Sequence, residues 1–222
     1  MAKSKIIKEI ANKEISLEVA FNRLLIIASD VGNQELIDWA TNELNGYPSE
    51  VQIPLYRKSG LGQIIYSGIN GNFQVKSVPL PTGALDNDIL EKLKNNSFSQ
   101  DISSIEVFAS DDNNNWVGKD LTNLAPIVYH NTEIQCVNIY MKYTKETFIK
   151  ILSAIRTKLL KVFIELDKEF GCLDDLDIDI KGKELQNINN KINIIINEDN
   201  SVTIGDDNKL KNNLFQKLGG KK

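Results

Sequence analysis

Five side chains suited to recognition or chemistry crowd into one short stretch, WATNELNGYPSEVQIPLYR: Trp39, Glu43, Tyr47, Tyr56 and Arg57. Trp39 and Glu43 are four residues apart, so on a helix they share a face. Asn45-Gly46 can take positive φ and reverse the chain. Tyr47-Pro48 and Ile53-Pro54 hold the return extended. This path can bring Tyr56 and Arg57 back to Trp39 and Glu43. An Arg57–Glu43 ion pair, with Arg57 or Tyr56 against the Trp39 ring, would make a rigid corner. The same residues would suit a partner or ligand surface, because Trp, Tyr and Arg are favoured at binding hot spots. Both readings stay open at this stage.

No complete catalytic motif accompanies them. The calcium-loop pattern can start at Asp111, with Asn113 and Asn115 in place, but Trp116 stands where glycine belongs and Thr122 where glutamate belongs. Starting at Asp175, it fails at Ile180 and Gln186. Alternating aspartates in DLDIDI could share one face of a strand and hold a hard cation weakly, although a solvated edge explains them as well. GLGQIIYSG lacks the Lys-Ser/Thr ending of a phosphate loop, and no G-x-S-x-G elbow is present. The single histidine, His130, has no visible partner and reads as a turn residue. Cys136 and Cys172 form no ligand spacing with it, which argues against zinc. No cofactor and no metal are expected.

Composition narrows the class. A net charge of -4 argues against a protein that coats nucleic acid. Two cysteines in 222 residues fit a reducing compartment. The N-terminus has lysines but no continuous apolar core, and no run approaches the roughly 18 apolar residues of a membrane span. A cytoplasmic location without membrane contact is the expectation.

The elements that must position the five residues follow from periodicity. Ile6, Ile7 and Ile10 mark one side of a short first helix. Ser16 offers an N-cap for LEVAFNRLLIIASDVG, with Val19, Leu24, Ile27 and Ala28 on its buried side and Gly32 as its stop. Asn33 caps QELIDWATNELNG, where Leu36, Ile37, Ala40 and Leu44 keep helical spacing. The short link between these two helices predicts an antiparallel pair. Beyond Pro54 the pattern alternates: GQIIYSG and NFQVKSV read as a β-hairpin through INGN. Asp86 or Asn87 caps a short helix, and ISSIEVFA reads as another. The run 111–115 reads as a loop and TEIQCVNIYMKY as a strand. Thr144 opens the longest helix, with apolar residues from Phe148 to Phe170 in one stripe. That stripe suits a core helix packed on the sheet, or one shared across a dimer.

Past Gly171 the composition changes. Residues 172–183 read as a linker between an α+β domain, 1–171, and a tail rich in Asn and Ile. In the tail, Ile188, Ile192, Ile194, Ile196, Val202 and Ile204 fall on even positions, which predicts extended chain with one apolar face. EDNS and GDDN read as turns. Such strands cannot stabilise themselves, so 184–215 is read as a β-rich oligomerisation tail followed by a disordered terminus, 216–222. A hairpin folded back on its own domain is the competing reading.

The run RLLIIASDVGNQELIDWATNELNGYPSEVQIPLYR closely resembles the N-terminal signature of the abortive-infection AbiTii domain. The matching residues include Leu24, Ala28, Leu36, Leu44, Asn45, Gly46 and Pro54, besides the five named at the outset. The long later helix and the VTIGDDNKL run also look like that family. The resemblance implies a bacterial antiphage protein that blocks phage propagation at the expense of the infected cell. It carries no catalytic residue with it. The expected protein is therefore an α+β defence protein: an N-terminal helical hairpin, a small antiparallel sheet, a long core helix and a β tail. Its expected partners are copies of itself and a phage or effector protein. A metal-dependent hydrolase or nuclease toxin, and a purely structural oligomer, are the alternatives.

Overall fold

The computed structural model describes residues 3–110 and 116–198. Its first layer is helical. Helix α1 spans Lys5–Ala11, α2 Leu17–Val31 and α3 Gln34–Asn45. Ser16 caps α2 by accepting from the Val19 amide at 3.2 Å, and Asn33 caps α3 by accepting from Leu36 at 3.1 Å. Gly32 takes φ 67°, the left-handed turn that lets the two helices fold back on each other. Leu24, Ile27, Ala28, Leu36 and Ala40 are fully buried between them. Val19 departs from the expected buried side and is 41% exposed; the stripe runs instead through Leu17, Phe21 and Leu24.

The sheet is antiparallel. Strands β1 (Gln63–Asn70) and β2 (Phe73–Pro79) form the expected hairpin. Helices α4 (Asn87–Lys94) and α5 (Ile102–Ser110) follow it. Two elements were not expected: strand β3, Trp116–Asp120, and helix α6, Ala125–Thr132, which places exposed His130 on a helix rather than in a turn. Strand β4, Gln135–Thr144, completes the sheet in the order β2-β1-β4-β3. Along β4, Ile139, Met141 and Tyr143 are buried, while the residues between them are partly exposed. One face of the sheet therefore meets the core.

Helix α7, Lys145–Phe170, carries the apolar stripe as expected. It packs on helices more than on the sheet. Phe148 meets the Phe98 and Phe108 rings at 4.9 and 5.2 Å, and Arg156 donates to the Ile10 carbonyl at 3.0 Å.

Residues 172–183 are irregular but anchored. Leu173 is fully buried and its amide donates to Ser4 Oγ, while the Lys5 amide donates to Asp174. DLDIDI forms no strand.

The largest correction falls on the next segment. Leu185–Asn197 is a helix, α8, not extended chain. Ile188 and Ile192 are one turn apart on its inner face, buried against α7. Ile195 and Ile196 join the same packing, and Ile194 faces solvent at 64% exposure. The even-position spacing between 188 and 192 also fits one helical turn, and burial on a neighbouring helix selects that option. The segment 111–115, both expected turns except Glu198, Val202, Ile204 and the expected terminus 216–222 lie outside the described residues. The fold is α+β.

Candidate functional site

The corner forms from the end of α3 and the chain that returns from it. Gly46 takes φ 86°, and a Cβ there would lie 2.8 Å from the Ser99 carbonyl oxygen. Only glycine fits both conditions. The next residue fixes the turn, because the Tyr47 amide donates to Ser99 at 2.8 Å. The chain then passes Pro48 and Pro54 and closes in a one-turn helix, Leu55–Arg57.

The return delivers Arg57 to Glu43. Arg57 Nη2 donates to Glu43 Oε2 at 2.6 Å, and both side chains are 0% exposed. Arg57 Nε donates to Glu43 Oε1 at 3.3 Å, and Nη1 donates to the carbonyls of Phe98 and Gln100 at 3.1 and 2.6 Å. One guanidinium thus joins three chain segments that are distant in sequence. The two phenols complete the network. Tyr47 and Tyr56 each donate to Glu43 Oε1 at 2.7 Å, and Trp39 Nε1 donates to the Tyr56 oxygen at 2.8 Å.

The five expected residues therefore converge. Of the two partners expected at Trp39, Tyr56 is the one that meets it, through the indole hydrogen bond, and the Trp39 ring meets Phe21 edge-on at 5.0 Å. Arg57 lies over the Tyr47 ring instead, 5.0 Å from its centroid.

The electrostatics follow from burial. Burial works against the Arg57 charge, but the Glu43 carboxylate outweighs it and the guanidinium pKa is raised. Burial first, and the Glu43 charge second, push both phenols well above their ordinary value. Both tyrosines stay protonated at neutral pH and act as donors. The carboxylate is saturated by protein groups, so this cluster is built to hold geometry.

A cavity of about 340 Å³ opens beside the network. Trp39, Tyr47 and Tyr56 contribute to its lining, together with Glu35, Asp38 and Lys158. Lys158 was not anticipated from sequence. Its ammonium donates to the carbonyls of Ile195, Ile196 and Glu198 at 3.1, 2.6 and 2.8 Å, capping the C-terminus of α8. The available signal was a lysine three residues after Ile155 and four before Val162, on the buried stripe itself. Ile188 and Ile192 lie on the inner face of α8, away from the cavity lining. Among the described residues, no group of three or more His, Cys, Asp or Glu could hold a metal ion. Nor, among them, is any helix long and apolar enough to cross a membrane.

No curated protein and no solved structure matches the chain. A family model does match, over residues 4–191, from α1 through the anchored irregular segment and into α8. That span covers the corner, the sheet, α7 and the buried isoleucines of α8, and on it the chain belongs to the AbiTii family.

Proposed function

We propose that this protein is an abortive-infection antiphage protein that acts by binding and self-assembly, sensing a phage product or recruiting an effector. Family membership across residues 4–191 is the observation that carries the reading. The site geometry supports binding over hydrolysis. Glu43, the most deeply buried acid among the described residues, is occupied by Arg57 and two tyrosines, and both phenols are held neutral. A general base needs a carboxylate or imidazole within reach of a substrate proton, and this network spends its carboxylate internally.

Self-assembly draws its support from α8, whose Ile194 is 64% exposed. Ile188 and Ile192 are spent on α7, so the assembly contacts fall to Ile194 and to the segment that holds Val202 and Ile204.

The test compares the full chain with one ending at Glu198, which keeps α8 intact. Light scattering should show a multimer for the full chain and a smaller species for the shortened one. Plaque counts on bacteria expressing each should show protection only with the multimer. A monomeric full chain that still protects would overturn self-assembly. A full chain that gives no protection against any of a broad phage panel would overturn the defence role.

A further inference from the structure

We infer that α8 is exchanged between two copies of the chain, so that the groove between α3 and α7 of each copy receives the α8 of the other. The inference rests on the self-assembly proposed above and names a contact that makes it.

The helix comes first. Leu185–Asn197 holds five Asn and five Ile among its thirteen residues. Both types form helices less readily than Ala, Leu or Lys. Glu184, at the N-cap, makes no side-chain cap bond; the first turn has no acid and the last no base. The cap at the other end comes from α7, where Lys158 donates to the carbonyls of Ile195, Ile196 and Glu198. Such a segment owes its helical form to the surface it sits on rather than to its own sequence. Its seat is also imperfect: Asn189 Oδ1 is buried and accepts no hydrogen bond among the described residues.

The seat comes next. Helix α8 packs on α7 and α3 and buries Ile188 and Ile192. Asn33, the N-cap of α3, donates to Asn193 at 2.9 Å, and Asn197 donates to Glu35 at 3.0 Å. Lys191 pairs with Glu165 and Glu169 at 3.3 and 2.6 Å. These partners lie on α7, on α3 or at its cap, so a second copy offers the identical set. The seated helix is itself the template for the occupant: two isoleucines one turn apart, and terminal carbonyls for Lys158.

The connector permits the exchange. The chain before it is fixed by Leu173 and Ile178, both buried. Residues 179–184 are all exposed, and Gly182 takes φ 71°. The backbone bonds of this stretch are short-range: the Lys181 amide donates to the Asp179 side chain at 3.0 Å and the Lys183 amide to the Ile180 carbonyl at 3.2 Å. Six extended residues reach about 20 Å. Exchange rebuilds every contact of the seat in the second copy and closes as a two-fold pair. The cavity of about 340 Å³ in each copy is then completed by the partner's Ile196 and the partner's Asn197.

The experiment puts Glu35→Cys on one full-length chain and Asn197→Cys on another, both in a Cys136→Ala/Cys172→Ser background, and co-expresses the two. The side chains of Glu35 and Asn197 are exposed and in contact within one seat, so a short bismaleimide can join cysteines placed there. Exchange predicts a covalent dimer with one chain of each kind. A bridge that forms only when both cysteines stand on the same chain overturns it. The second measurement is mass. The chain ending at Glu198 keeps α8 and should be a dimer by light scattering; a monomer at every concentration overturns the exchange. The two readings fail separately: a full chain that assembles without the bridge leaves self-assembly standing and removes exchange, whereas a monomeric full chain removes both.

Discussion

Glu43 and Arg57, fourteen residues apart in sequence, form a salt bridge with no solvent exposure on either side. Surface ion pairs contribute little because water and salt screen them. A buried pair differs: its members are costly to desolvate and cannot be separated without stranding a charge. The pair is also the junction of the α3 terminus, the return segment and residues 98–100.

The first prediction concerns that junction. Glu43→Gln leaves a guanidinium buried without its countercharge and should cost about 3–5 kcal/mol of stability. Arg57→Met should cost a similar amount, since it also strands the Phe98 and Gln100 carbonyls. The Glu43→Leu/Arg57→Met double variant should lose much less than the sum of the two. Urea unfolding of all four proteins measures the coupling. Additive losses would mean that the pair does not act as a unit.

Alkaline pH tests the tyrosines. Burial and the facing Glu43 raise the pKa of Tyr47 and Tyr56 in the folded protein above the ordinary 10.0. A group with a raised folded pKa stabilises fully below its unfolded pKa and loses that contribution as pH rises toward the folded value. Stability should therefore be level in this respect below about pH 10 and fall steeply above it. Tyr47→Phe should lower stability at neutral pH, because Glu43 loses a donor, yet flatten the decline above pH 10. Denaturant midpoints from pH 8 to 11.5 provide the comparison, and an unchanged slope in the variant would remove Tyr47 as its source.

Glycine 46 provides a sharper backbone test. Its φ of 86° and the 2.8 Å approach to the Ser99 carbonyl leave no place for a Cβ. Gly46→Ala should destabilise by more than about 1 kcal/mol, from positive-φ strain and the forced shift of residues 98–100 together. Gly32→Ala, at φ 67° with nothing within 4 Å, carries the strain without the clash and should cost less. Thermal melts of the two variants separate the causes.

The corner was legible because its determinants are local: a helix period, an Asn-Gly stop and two prolines aim Tyr56 and Arg57 backwards. The caps at Ser16 and Asn33 were legible for the same reason. Other features are set by distant partners. The carbonyls that bind Arg57 come from residues 98 and 100, and nothing near Arg57 announces them. Strand β3 has only five residues with a glycine at its centre, and its pairing partner β4 supplies most of its reason to be extended. The helix APIVYHNT hides behind β-branched residues and an early proline that fits a first turn. In α8, the interval of four from Ile188 to Ile192 satisfies strand and helix alike. The deciding term is the face that α7 offers it, together with the Lys158 cap, neither of which a local period can reveal.

That last point yields a prediction about α8 itself. The helix is held by two buried isoleucines and by one lysine on its terminal carbonyls, with side-chain links from Lys191 to Glu165 and Glu169. Ile192 is 0% exposed, so Ile192→Ala should cost about 2–5 kcal/mol. Lys158→Met keeps the apolar stem but abandons three carbonyls, which should cost about 1–3 kcal/mol and fall mainly on α8. Hydrogen exchange distinguishes a local from a global loss. In Lys158→Met, amides of residues 188–197 should exchange faster while those of α2 keep their protection. If instead the whole molecule loosens together, α8 is part of the single cooperative core and the tail begins only beyond Glu198. Either pattern decides whether α8 can leave its seat beside the cavity without unfolding the corner, and faster exchange confined to α8 is the expected result.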